Sequence, residues 1–71
     1  MLKKRSISLS GHSTSLALEP EFWIALQALA DAEGTTLTLL IGRIDRGRAD
    51  APLASACRLA TLKWALGRGA A

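Results

Sequence analysis

Few side chains in this sequence are equipped for reaction chemistry. There is one histidine (His12), one cysteine (Cys57), no tyrosine and six carboxylates: Glu19, Glu21, Asp31, Glu33, Asp45 and Asp50. No two of them have the spacing of a general acid and base, and no group has that of a metal site. A chain of 71 residues is also a poor frame for an enclosed substrate pocket. An enzyme is therefore not expected, and no cofactor or metal is called for. The nine Lys and Arg side chains carry a different chemistry, anion recognition, and they are segregated along the chain. Lys3, Lys4 and Arg5 come first, with no acid before Glu19. Residues 19–42 hold four acids and no base. Arg43, Arg46, Arg48, Arg58, Lys63 and Arg68 then face only Asp45 and Asp50. With a net charge of +3 and an isoelectric point near 9.8, the chain points to an anionic partner.

The apolar residues set the second constraint. They make up 49% of the chain, mostly as thirteen Leu and thirteen Ala, with Phe22, Trp23 and Trp64 as the aromatics. A domain this small buries a modest fraction of its surface on its own. No segment reaches the ~18 uninterrupted apolar residues of a membrane-spanning helix, so no membrane partner is expected. The basic start resembles a secretory n-region in charge alone, because alternating serines follow it. The surplus apolar surface is then expected to meet a second copy, as an obligate homodimer. A lone Cys57 makes no intrachain disulfide, and it reads as a small buried apolar residue in a cytoplasmic, nucleoid-associated protein.

Three kinds of element must position these groups, in one expected domain over residues 1–71. Ile7 and Leu9 alternate with Ser6, Ser8 and Ser10; after Gly11-His12, Leu16 and Leu18 alternate with Ser15 and Ala17. Period two predicts a ribbon strand over 13–19 and makes 1–12 a basic arm or an extra strand. A hairpin through Ser10-Gly11-His12-Ser13 is one arrangement, and pairing with a second chain is the other. His12, beside the break, reads as a turn residue. At Pro20 the period becomes 3.6, and Phe22, Ala25, Leu26, Leu29 and Ala30 share one face of a helix over 20–33 that stops at Gly34. Thr36 is the expected N-cap of a second helix over 36–46, with Leu37, Leu40, Ile41 and Ile44 as its stripe and Leu39 alongside. Its end, at Arg43, Arg46 and Arg48, reads as a solvated terminus that suits the negative dipole pole. A third helix over 52–66 ends at Gly67, with an Ala/Leu face for the core and Arg58 and Lys63 toward solvent.

A lone strand must find a partner for its backbone groups. Two copies would form an antiparallel two-stranded ribbon over a helical core, narrow enough for the major groove of B-DNA. The order strand, helix, Gly34-Thr35-Thr36-Leu37-Thr38, helix resembles the ribbon-helix-helix superfamily, which includes the Arc and methionine repressors. Within it, residues 4–23 look like a bacterial subfamily. They open on Lys4-Arg5-Ser6, continue through Gly11-His12-Ser13-Thr14-Ser15, and reach Phe22-Trp23 after Glu19. The third helix fits that subfamily's short C-terminal extension.

The resemblance implies a mainly α fold with one ribbon strand, an intermolecular sheet and a third C-terminal helix. It implies a double-stranded DNA-binding repressor or autoregulator, working as a homodimer or as higher oligomers on DNA. Ser13, Ser15 and Ala17 would face the base edges. Lys3, Lys4 and Arg5 would make mobile backbone contacts, and the amides at Thr36, Leu37 and Thr38 would bind phosphate. Leu16, Leu18, Phe22, Trp23, Leu26, Leu29, Leu40, Ile41 and Ile44 would form the dimer core, with Trp23 as an interface anchor and Trp64 covering a core edge. Serine and alanine discriminate bases less well than Arg, Lys, Asn or Gln, so specificity would lean on the arm, DNA shape or cooperative dimers. The alternative is a protein-interaction module, an antitoxin-like or adaptor dimer that docks a protein partner through the third helix.

Overall fold

The serine-rich alternation folds back on itself within one chain. In the computed structural model, which describes residues 1–69, β1 (Lys3–Leu9) and β2 (His12–Leu18) form a two-stranded antiparallel sheet. The register runs from Leu9 opposite His12 to Lys3 opposite Leu18. Only Ser10 and Gly11 lie between the strands, at φ 50 and 80°. Two consecutive positive φ values are those of a type I′ turn, whose twist matches that of the flanking strands. Gly11 meets this at no steric penalty, whereas Ser10 accepts a conformation that L residues rarely adopt.

Helix α1 (Pro20–Ala32) begins with Pro at its first position and ends in a Schellman turn. The Thr35 amide donates to the Ala30 carbonyl at 2.9 Å and Gly34 to Asp31 at 3.2 Å, with Gly34 at φ 68°. Helix α2 (Leu37–Gly47) follows at once, capped by Thr36, whose Oγ1 accepts from the Leu39 amide at 3.2 Å. Helix α3 (Leu53–Gly69) is the longest and passes Gly67 without stopping. No single helix among the described residues is long and apolar enough to cross a membrane.

The core lies between the inner face of the hairpin and the three helices. Ile7, Leu16 and Leu18 enter from the sheet; Trp23, Leu26, Leu29 and Ala30 from α1; Leu40 and Ile41 from α2; Cys57 from α3. Phe22, Ile44 and Trp64 pack against this cluster half-buried.

Several expectations change here. A two-residue turn brings residues 3–9 back along β2, so β1 pairs with one edge of β2 within the chain and the other edge of β2 stays open. Lys3, Lys4 and Arg5 are therefore in a strand and not in a mobile arm. Seven of the nine residues expected at a dimer core, Leu16, Leu18, Trp23, Leu26, Leu29, Leu40 and Ile41, are already buried inside the single chain. Leu39 points to solvent, on the side of α2 away from Leu40 and Ile41. On α3 the core stripe is Cys57, Thr61 and Trp64, while Leu59, Leu62 and Leu66 are exposed.

Nothing lies within 4 Å of a Cβ added at Gly11, so a substitution there acts through the backbone alone. Gly11→Ala should lower stability in urea denaturation by about 1 kcal/mol, with the helical circular-dichroism signal of the native state unchanged. Trp23→Phe keeps a ring in the core but removes the indole N–H that bonds to β1. It should cost about 1 kcal/mol and loosen β1 selectively in amide hydrogen exchange.

Candidate nucleic-acid interface

The strand pleat sorts the hairpin into two faces. Residues 3, 5, 7 and 9 and their partners 18, 16, 14 and 12 lie on the inner side. The outer side carries three cross-strand pairs: Lys4 with Ala17, Ser6 with Ser15, and Ser8 with Ser13. All are exposed except Ala17, which is half-buried. The base-facing residues expected from the sequence, Ser13, Ser15 and Ala17, are thus brought together on one face. Lys4, Ser6 and Ser8 complete it from the neighbouring strand. Their alternation was visible in the sequence, but their place opposite Ala17, Ser15 and Ser13 depended on the register of the turn.

This face is flat, short-chained and rich in hydroxyls, which donate or accept hydrogen bonds with little preference. At the end of the hairpin away from the turn stand Lys3, Lys4 and Arg5. Trp23 holds that end down. Its Nε1 donates to the Lys3 carbonyl at 2.8 Å, and the Arg5 guanidinium lies 4.6 Å from its ring centroid. Trp23 therefore anchors β1 within the chain, because the Lys3 carbonyl offers its indole N–H an acceptor.

A second basic edge lies at the end of α2. Arg43 is hydrogen-bonded to Glu33. Arg48 donates to Asp45 and to the Ala51 carbonyl, each at 2.7 Å, which closes the turn into α3. Arg46 is exposed. At the other end of α2, Thr36 and Thr38 are exposed beside the first helical amides, and the N–H groups of Leu37 and Thr38 are among those a helix leaves without an intrahelical partner.

Arg58 was expected to face solvent, but it ties α3 to the strand–helix junction. Its Nε and Nη2 reach Glu19 Oε1 at 2.9 and 2.8 Å, and its guanidinium lies 5.6 Å from the Phe22 ring centroid. Glu19 is the N-cap of α1 but makes no side-chain cap bond. Its own backbone amide, and then Arg58, hold its carboxyl below the ordinary carboxylate range. Burial, reinforced by Asp45, pushes the Cys57 thiol up to about 11, so at neutral pH it is a protonated core side chain and no nucleophile.

Fold and surface together define a small helical protein carrying a two-stranded ribbon that is polar on its outer face and basic at its open end. The model of the ribbon-helix-helix domain family matches residues 2–65, and the chain belongs to that family. The family is one of DNA-binding regulators that dimerise and are typically not enzymes. No curated protein matches the chain. Among solved structures, the chain is similar to an uncharacterized protein from Bordetella pertussis Tohama I, at 28% identity and a TM-score of 0.85. The match covers 97% of this chain and 59% of that one, so the chain spans about three-fifths of that protein's length.

Because Glu19 has a depressed pKa in the folded state, its ion pair stabilises the fold above the carboxyl's ordinary value of 4.5 and is lost as pH falls below it. The melting temperature should therefore drop on acidification through that range. Glu19→Gln should lower it at pH 7 and flatten that acid limb, as thermal melts at a series of pH values would show.

Proposed function

We propose that the protein is a double-stranded DNA-binding transcription regulator, a repressor or autoregulator in the cytoplasm that acts as a homodimer and inserts its hairpin into the major groove. The observation that carries this reading is the outer face of the hairpin in a chain of this family: hydroxyls, one lysine and no carboxylate, bordered by further cations. A two-stranded ribbon, with strands about 4.8 Å apart, suits a groove about 12 Å wide. Ser13, Ser15 and Ala17 face the base edges, joined by Ser6 and Ser8. Lys3 and Lys4 take backbone phosphates, and Arg5 does so while stacked on Trp23. The exposed α2 terminus at Thr36, Leu37 and Thr38 is a further phosphate contact, since free amides and the helix dipole both favour an anion.

Serine hydroxyls bond to several bases, so direct readout contributes modest discrimination, and DNA shape together with paired half-sites supplies the rest. Fluorescence anisotropy with the protein's own promoter duplex and a scrambled duplex, at two salt concentrations, tests the reading. A preference for the promoter of tenfold or more, about 1.4 kcal/mol, with affinity falling steeply in salt, is expected. Lys4→Ala should weaken both duplexes alike and reduce the salt slope by about one. Ser15→Ala should change the ratio between them instead. Weak binding that ignores both sequence and salt would remove the ribbon as the reader.

A further inference from the structure

The open end of the hairpin and the first two turns of α1 border a groove of about 360 Å³, lined by Lys3, Arg5, Pro20, Trp23, Ile24 and Gln27. Small-molecule sites begin at about 300 Å³. The two walls of the groove differ in kind. Pro20, Ile24 and Gln27 stand at i, i+4 and i+7 on one face of α1, and Ile24 is 71% exposed although its side chain is large and apolar. Opposite them are Lys3 and Arg5, on the side of β1 that faces the helices. The ion pairs among the described residues are Arg43–Glu33, Arg48–Asp45 and Arg58–Glu19, which leaves both of these cations without a carboxylate. The acid one turn further along that face of α1, Asp31, is held by the Gln27 amide at 2.9 Å.

We propose that this groove binds a small organic carboxylate with an apolar body. Trp23 prepares Arg5 for the acid group. The guanidinium lies over the indole, 4.6 Å from the ring centroid. Contact with a ring engages the face of a guanidinium and leaves its in-plane N–H donors for the two oxygens of a carboxylate. The indole N–H, bonded to the Lys3 carbonyl at 2.8 Å, also fixes the backbone of the second cation. Lys3 then adds a positive charge of no fixed geometry. Ile24 and Pro20 take the apolar body. An inorganic anion would leave Ile24 in water, so this wall favours an organic one. The site stands on the groove alone, and its consequence rests on the proposed function. Lys3 and Arg5 are among the cations assigned there to DNA phosphates. A carboxylate in the groove competes with DNA for them, and each ligand weakens the other by the same factor. The carboxylate is thus an effector that releases DNA.

Phenylacetate, a carboxylate on a single ring, is the probe, and proton–nitrogen NMR of the full chain without DNA is the measurement. The Trp23 indole signal should shift and saturate. That of Trp64, which also has an arginine at 4.8 Å from its ring but lies outside the groove, should not. Neutral phenylacetamide should bind about tenfold more weakly, as should phenylacetate to Arg5→Gln, since each loses a charged hydrogen-bonded contact. Ile24→Gln should weaken phenylacetate about fivefold through lost apolar contact. Its melting temperature should stay that of the wild type, because the side chain is already in solvent. A Trp23 signal that does not saturate overturns the proposal. So does phenylacetamide binding as well as phenylacetate, or inorganic phosphate matching it, which would mean attraction of any anion without a site. In promoter anisotropy, phenylacetate should lower the DNA affinity of the wild type and affect Ile24→Gln much less. DNA affinity indifferent to a probe that NMR shows bound overturns the effector role. A chain that binds phenylacetate but no DNA refutes the DNA reading alone.

Discussion

The indole of Trp23 reaches from the first turn of α1 to the backbone of β1, donating to the Lys3 carbonyl at 2.8 Å while its ring lies beneath the Arg5 guanidinium. Much else in the molecule follows from that contact. A two-stranded hairpin is marginally stable alone in water. Here the turn at Ser10 and Gly11 sets the register, and Ile7, Leu16 and Leu18 bury one face. Those contacts lie toward the middle and the α1 end of the hairpin. Without Trp23 the first residues of β1 would have little to hold them, since Lys3, Lys4 and Arg5 are all exposed and apolar burial begins at Ile7. With it, a basic segment that reads as a tail becomes the edge of a sheet.

Holding β1 in place changes what the outer surface is. A single strand would offer Ser13, Ser15 and Ala17 as a line of small side chains. Paired in register, they become one half of a two-stranded face whose other half is Lys4, Ser6 and Ser8. Small side chains allow such a face to approach another surface closely, and the absence of carboxylates on it leaves the local field positive. The chemistry is adaptable hydrogen bonding on a rigid support, with cations gathered at one end.

The Glu19–Arg58 pair does for α3 what Trp23 does for β1. It joins the last helix to the point where strand passes into helix, with Phe22 against the guanidinium. Any change in how α3 is seated therefore bears on the end of β2 and the start of α1. The side of α3 that meets the core is fully occupied, with Cys57 inaccessible and Thr61 Oγ1 bonded to the Arg58 carbonyl at 2.8 Å.

Local patterns in the sequence were enough for both ends of α1 and the start of α2, though not for the end of α3, which runs past Gly67. Pro20, Gly34 and Thr36 act through backbone rules that involve only their neighbours, and each is found in the predicted role. The period-two alternation likewise placed Ser13, Ser15 and Ala17 on one side of a strand, and Leu16 and Leu18 on the other. What alternation does not contain is the identity of the partner strand, because pairing within a chain and between chains satisfies the same backbone groups. The tertiary structure places β1 on one edge of β2, through a two-residue turn and a tryptophan twenty residues from its acceptor. The same limit explains α3. Leu59, Leu62 and Leu66 and the residues Cys57, Thr61 and Trp64 each make a plausible helical stripe, and composition alone favours the leucines. Which stripe turned inward depended on packing against the rest of the core, and Arg58 reaches Glu19 in that same seating; contacts across 39 residues leave no periodic trace in a sequence.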